Sequence, residues 1–191
     1  MMKRMTVLFI IFIGLVIQLW AGTTTTLAQG KQTTLGLYAT AKEAYEKWQT
    51  LPTILNILDV RTPEEYVWIG HPTMAHNIPY MFFKEKWYIH PEVSPMVNNP
   101  DFIAQVKKKF KTDDILYVIC RSGGRSAAAV NDLAQEGFKK VYSITDGFEG
   151  DEIKDENNYY KGKRMMNGWK NSGAPWTYEL NPELIFRLEL Q

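Results

Sequence analysis

Apolar positions along this chain alternate between two spacings. Thr53-Ile-Leu-Asn-Ile-Leu-Asp-Val60, Ile115-Leu-Tyr-Val-Ile119 and Lys140-Val-Tyr-Ser-Ile144 are short runs dense in β-formers and read as strands buried in a sheet. Between them the apolar residues fall at helical spacing. Ala44, Tyr45 and Trp48 form one stripe, opened by the capping-box pattern Thr40-Ala-Lys-Glu43. Thr62-Pro63-Glu64-Glu65 opens a second, short helix, with Thr as cap and Pro at the first position, and Gly70-His71-Pro72 stops it. Ala75 to Pro79 is a short strand ended by proline. Phe102, Ile103, Val106 and Phe110 mark a helix from Asp101 to Lys111, whose Lys107–Lys109 run reads as a solvated end favoured by the helix dipole. Ala127 to Ala134 is an Ala-rich helix, with Gly137 placed as its left-handed cap and Phe138 able to fold back on Leu133. Strands alternating with helices predict an α/β fold, with a central, mostly parallel sheet flanked by helices on both faces.

Other stretches lack either period. Residues 1–28 run from Lys3 and Arg4 through an apolar stretch to Trp20 and then small residues, the order of a secretory signal peptide, with an uncleaved N-terminal anchor as the alternative. Residues 29–39, poor in apolar positions, read as a flexible spacer; 40–178 form the domain and 179–191 a C-terminal tail. The aromatic, proline-interrupted stretch 80–100 is a lid or surface excursion. Residues 151–164 look charged and mobile. Trp87, Trp169, Trp176 and the Met165-Met166 pair read as packing residues, and His71, His76 and His90 lack metal-ligand spacing. An exported domain works outside the cytoplasm, in the periplasm on this reading; it meets a membrane only if the leader stays attached.

Composition narrows the partners. At 45% hydrophobic, 23% charged and a net charge of +1, nothing points to nucleic acid. The chain has one cysteine, Cys120, placed where the central strand ends. An exported lone cysteine has no internal disulfide partner. A small buried hydrophobe would not account for Arg121-Ser-Gly-Gly-Arg125 beside it. That sequence curls backbone N–H groups around the sulfur, at a helix N-terminus and between two cations, an arrangement that favours a thiolate. Four residues separate Cys120 from Arg125. Cysteine-dependent phosphatases have five, so the tighter ring suits a single sulfur atom better than a tetrahedral phosphate. Asp59 and Arg61 read as a structural brace.

Cys120-Arg-Ser-Gly-Gly-Arg125 resembles the active loop of rhodaneses, the thiosulfate sulfurtransferases. Leu58-Asp-Val-Arg61, Thr62-Pro-Glu-Glu-Tyr66, Gly70-His71 and Ala75-His-Asn-Ile-Pro79 resemble that family's other segments in order, from about Thr40 to Trp176. The resemblance implies a rhodanese-like fold and a ping-pong sulfur transfer through a Cys120 persulfide, without metal or organic cofactor. Arg121 and Arg125 would orient a small anionic sulfur donor, and backbone N–H groups of Ser122, Gly123, Gly124, Arg125 and Ser126 would hold the persulfide. The acceptor would be cyanide, a thiol or a protein that takes up sulfur. The alternative is a non-enzymatic sulfane-sulfur carrier or interaction module serving a periplasmic partner. Pro72, where an aliphatic residue is common, and the insertions at 80–100 and 151–164 depart from a minimal member.

Overall fold

A computed structural model describes residues 27–84 and 94–187. Five parallel strands form the central sheet: β1 (Tyr38–Ala39), β2 (Leu55–Asp59), β4 (His76–Asn77), β7 (Ile115–Ile119) and β8 (Val141–Ile144), in the order β1-β8-β7-β2-β4. The register of β2 on β7 runs from Leu55↔Ile115 to Asp59↔Ile119, which brings the C-terminal ends of both strands level. Two antiparallel pairs flank the sheet: β3 (His71–Pro72) with β9 (Trp176–Thr177), and β5 (Met81–Phe83) with β6 (Met96–Asn98).

Two of the helices start where side-chain capping signals place them. α1 (Ala41–Thr50) and α2 (Pro63–Ile69) each start with a complete capping box, Thr40 with Glu43 and Thr62 with Glu65. α3 spans Phe102–Lys109 and α4 Gly124–Gln135. α4 ends in a Schellman arrangement: Phe138 N–H donates to the Leu133 carbonyl and Gly137 N–H to that of Ala134, both at 3.1 Å, and Phe138 and Leu133 share a core.

Side-chain alternation along β7 splits the interior in two. Leu116, Val118 and Cys120 face α3 and α4, packing with Val106, Phe110, Val130 and Leu133. Tyr117 and Ile119 face the other side, with Ala41 and Ala44 of α1, Phe148 and Trp169. The sheet is therefore covered on both faces. Trp169 is fully buried, with its indole N–H on the Pro175 carbonyl, and Trp176 packs edge-on against Phe148.

Four expectations change. Residues 29–39 are not a spacer: Gln29–Lys31 form a 3-10 turn, Thr34 N–H donates to Asn131 of α4 at 2.8 Å, and β1 adds an edge strand to β8. Their order comes from backbone pairing, which leaves little trace in side-chain periodicity. Residues 151–164 are a hydrogen-bonded arm, in which Ile153 exchanges backbone bonds with Lys163 and Gly162 and Glu152 bridges Arg164. Met165 and Met166, read as packing residues, are exposed at its base. The tail docks on the sheet edge, where Asn77 N–H of β4 donates to the Leu184 carbonyl at 2.8 Å. Residues 1–26 of the leader, and Trp87 and His90 within 80–100, lie outside the described residues. Among the described residues no helix is long and apolar enough to cross a membrane.

Beside the docked tail, His76 stacks edge-on against Phe110, and its Nδ1 is buried without a partner among the described residues. Burial, with Lys109 adding to it, pushes this imidazole down to about 4. On acidification the unfolded chain protonates His76 first, near the ordinary ~6.5. Its contribution to stability is therefore complete above about pH 6.5 and drains away as pH falls toward 4. Urea unfolding across that window should show declining stability, with a shallower decline in His76→Phe; equal slopes in the two proteins would refute the assignment.

Candidate active site at the end of the central strand

Cys120 leaves β7 at the C-terminal edge of the parallel sheet, where α/β folds build their sites. The residue is 2% exposed. The turn that follows runs through Gly123, which is the N-cap of α4 at φ 99°. That conformation turns the Gly123 N–H back onto Cys120 Sγ at 3.1 Å. The position accepts only glycine, because a Cβ there would lie 2.2 Å from the Thr145 carbonyl oxygen. The first-turn N–H groups of α4, on Gly124, Arg125 and Ser126, have no intrahelical acceptor and carry the positive end of the helix dipole. The Ser126 hydroxyl is fully buried and without a partner among the described residues.

The outer side of the turn is held by a second loop. Phe148 N–H donates to the Cys120 carbonyl at 2.8 Å and Glu149 N–H to that of Arg121 at 3.0 Å. Close approach depends on Gly147, whose Cβ would fall 2.6 Å from both carbonyl oxygens. Asp146 anchors this loop in turn, accepting from Ala41 N–H at 2.7 Å and Gly168 N–H at 2.9 Å. With the carbonyls tied outward, N–H groups of the turn are left for an anion.

The two arginines of the turn have separate roles. Arg121 is exposed at the surface. Arg125 is mostly buried and makes a two-pronged pair with Glu65 of α2, both contacts at 2.6 Å. Burial opposes the charge on each partner. The pairing prevails, holding Glu65 below its ordinary range and Arg125 above its own. Cys120 and Asp59 add to the field on Arg125. Sequence reasoning took Glu65 only as a helix cap, which it also is, accepting from Thr62 N–H at 3.0 Å. No local signal marks it as an arginine's partner, because Arg125 lies 60 residues further along the chain.

Asp59 and Arg61 form a fully buried pair at the end of β2. Arg61 Nε lies 3.0 and 3.1 Å from the two Asp59 oxygens; Nη2 donates to Asp59 at 2.6 Å and to the Gly70 carbonyl at 2.8 Å. The guanidinium rests on the Phe148 ring, 4.1 Å from its centroid. The brace thus reaches the loop that locks the Cys120 turn. His71 is buried against the Tyr66 ring at 3.7 Å, with Nδ1 on the Tyr66 carbonyl, and takes a packing role.

Residues 40–153 match a family model described as a rhodanese-like domain. The chain is 44% identical over 91 residues to thiosulfate sulfurtransferase 16, chloroplastic, of Arabidopsis thaliana, an alignment covering 48% of this chain and 68% of that protein. It is 42% identical over 91 residues to rhodanese-like domain-containing protein 15, chloroplastic, of the same plant, covering 48% of this chain. There it spans less than half of the relative's length, 45%. Among solved structures, the crystal structure of Rv0390 from M. tuberculosis superposes with a TM-score of 0.58 at 25% identity, covering 74% of this chain and 99% of that one.

Removing one member of the buried brace should be costly. Asp59→Ala strands the Arg61 charge and is expected to lower unfolding free energy by about 3–5 kcal/mol, measured by denaturant titration. A loss within ~0.5 kcal/mol, the range of surface substitutions, would refute the brace.

Proposed function

The chain belongs to the rhodanese-like domain family, and on that premise we propose that it moves a sulfane sulfur through a persulfide on Cys120. The observation that carries this reading is the Cys120 sulfur held by the Gly123 N–H at the N-terminus of α4, inside a turn closed by Arg125. A family member with that arrangement has a nucleophile and an anion cradle in one place.

In the first half-reaction, the Cys120 thiolate attacks the outer sulfur of thiosulfate. A new S–S bond forms, the bond to the sulfonate sulfur breaks, and its electron pair leaves with sulfite. Arg121 meets the donor's oxygens at the surface, while Arg125, fixed by Glu65, supplies a cation at the rim of the turn. The outer sulfur of the persulfide, bearing the negative charge, takes the place of an anion among the N–H groups of residues 122–126. In the second half-reaction, cyanide or a thiolate attacks that outer sulfur and the electron pair of the broken S–S bond returns to Cys120. Each step conserves charge and needs no outside oxidant. A persulfide or other anionic sulfane donor would enter by the same route, and the residues use no metal or organic cofactor in either step.

Export rests on residues 1–28 and places the reaction in the periplasm or on a membrane through an uncleaved leader; the mature N-terminus reports which. Cys120→Ser should reduce thiocyanate formation from thiosulfate and cyanide to background while leaving the thermal melt unchanged. Mass spectrometry of the wild-type protein after thiosulfate should show one added sulfur on Cys120. Undiminished turnover in the variant would overturn the reading, whereas a stable persulfide without turnover on any small acceptor would favour the carrier alternative.

A further inference from the structure

Residues 27–31 form a strap laid across the start of α4, with the Lys31 stem against Gly123 and the Gly30 carbonyl beside Gly124. The residues just before the leader's cleavage point are tied into this strap. The Gln32 side-chain amide donates to the Leu27 carbonyl at 2.9 Å, and Lys31 N–H donates to the Ala28 carbonyl at 2.8 Å. The bond from Ala28 to Gln29 therefore opens a 3-10 turn. Peptidases take their substrates extended, and the folded domain does not offer this bond in that form.

Beside the strap stands the arm of residues 151–164, and it carries large apolar groups in the open. Tyr159 is 94% exposed, Tyr160 49%, and at the base of the arm Met165 is 49% and Met166 65% exposed. The two tyrosine rings meet edge to face, 5.1 Å between centroids, and touch neither core. Ala28, Asn158 and Met166 line one cleft with Ser122 of the Cys120 turn. The point where the leader joins the domain and the exposed arm thus share one side of the molecule. Charge does not account for this surface. Lys154, Lys161, Lys163 and Arg164 are matched in number by Asp151, Glu152, Asp155 and Glu156, and Lys161 pairs with Glu156 as Arg164 does with Glu152. Exposed Tyr and Met within a balanced set of charges suit the interfacial zone of a bilayer. There Tyr rings sit at headgroup level, and lysine stems lie along apolar surface with their ammonium groups in water.

The leader says which surface lies within reach. Its apolar stretch ends at Trp20, and residues 21–27 extend over ~25 Å at most. A domain of ~150 residues has a radius of gyration of about 15 Å, so a leader kept in a membrane holds the strap side of the domain close to it. At that range even a weak contact is occupied, because the tether sets a high effective concentration. We propose that the leader is retained and that the arm, through Tyr159, Tyr160, Met165 and Met166, rests in the headgroup layer of the lipid bilayer. The cleft that Ser122 shares with the arm then opens beside the membrane surface. This contact is independent of whether Cys120 carries sulfur.

Two measurements on the full chain test this, and neither reads activity. Membranes of cells expressing the chain should keep it through a carbonate wash, with an intact mass that includes residues 1–28. A chain beginning at Gln29 would overturn the proposal. For the arm, Cys120→Ser protein carrying Tyr159→Cys is labelled there with a polarity-sensitive dye and reconstituted in phosphatidylcholine vesicles. Emission should shift to the blue and be quenched by lipids brominated high on their acyl chains. That quenching should exceed several-fold the value with the dye on Gln49→Cys, in α1 on the opposite face of the sheet. Tyr160→Asp with Met166→Asp should cut the quenching several-fold and leave membrane attachment, which the leader supplies, unchanged. Quenching that vanishes in high salt or requires anionic lipid would refute an apolar contact. Equal quenching at both positions, or none at either, would refute the arm as the contact. A blue shift without quenching that grows with protein density on the vesicles would put a second copy there and sink the proposal as well.

Discussion

Everything at this site depends on holding a short turn open against its tendency to satisfy itself. A backbone that is to receive an anion must keep several N–H groups unpaired, and such groups are costly to leave buried. The structure resolves this by giving the carbonyls of Cys120 and Arg121 to a neighbouring loop, through Phe148 and Glu149. With its acceptors engaged elsewhere, the turn cannot fold back on its own donors. Gly123 and Gly147 are the two places where this geometry leaves no room for a side chain.

That lock is itself held by ionic bracing from elsewhere in the chain. Arg61, paired with Asp59 at the end of β2, lies under Phe148 and so supports the locking loop from below. Glu65 at the start of α2 holds Arg125 at the start of α4, tying two helices together across the site. Both carboxylates are near-saturated by their arginines, which keeps a cation by the sulfur without leaving a charge buried alone. Arg121 alone of these three arginines is exposed. The charge open to solvent therefore sits at the surface, and the charges that hold the frame sit beneath it.

The strands, the capping boxes and the Cys120 turn were legible in the sequence because each rests on local rules. Thr40 with Glu43, Thr62 with Glu65 and Gly137 with Phe138 place helix ends through contacts a few residues apart. What was not legible depends on distant partners. Glu65 and Arg125 are 60 residues apart, and nothing near Glu65 announces a second partner. The order of residues 29–39 comes from backbone pairing with β8 and from Asn131, neither of which shapes an apolar pattern. Met165 and Met166 misled for the opposite reason. Their type suggests burial, but the arm carries them out of reach of either core.

The division between legible and illegible parts follows the division of labour in the molecule. Sulfur chemistry needs one thiol, a fixed ring of donors and a cation, all of which a strand, a turn and a helix start supply within seven residues, Cys120 to Ser126. Farther out, a strap that precedes the sheet meets an arm that follows it, and the Lys31–Asp151 ion pair joins them. Those segments share no core with β7, so they can change in length and charge without disturbing β2, β7 or the Asp59–Arg61 pair.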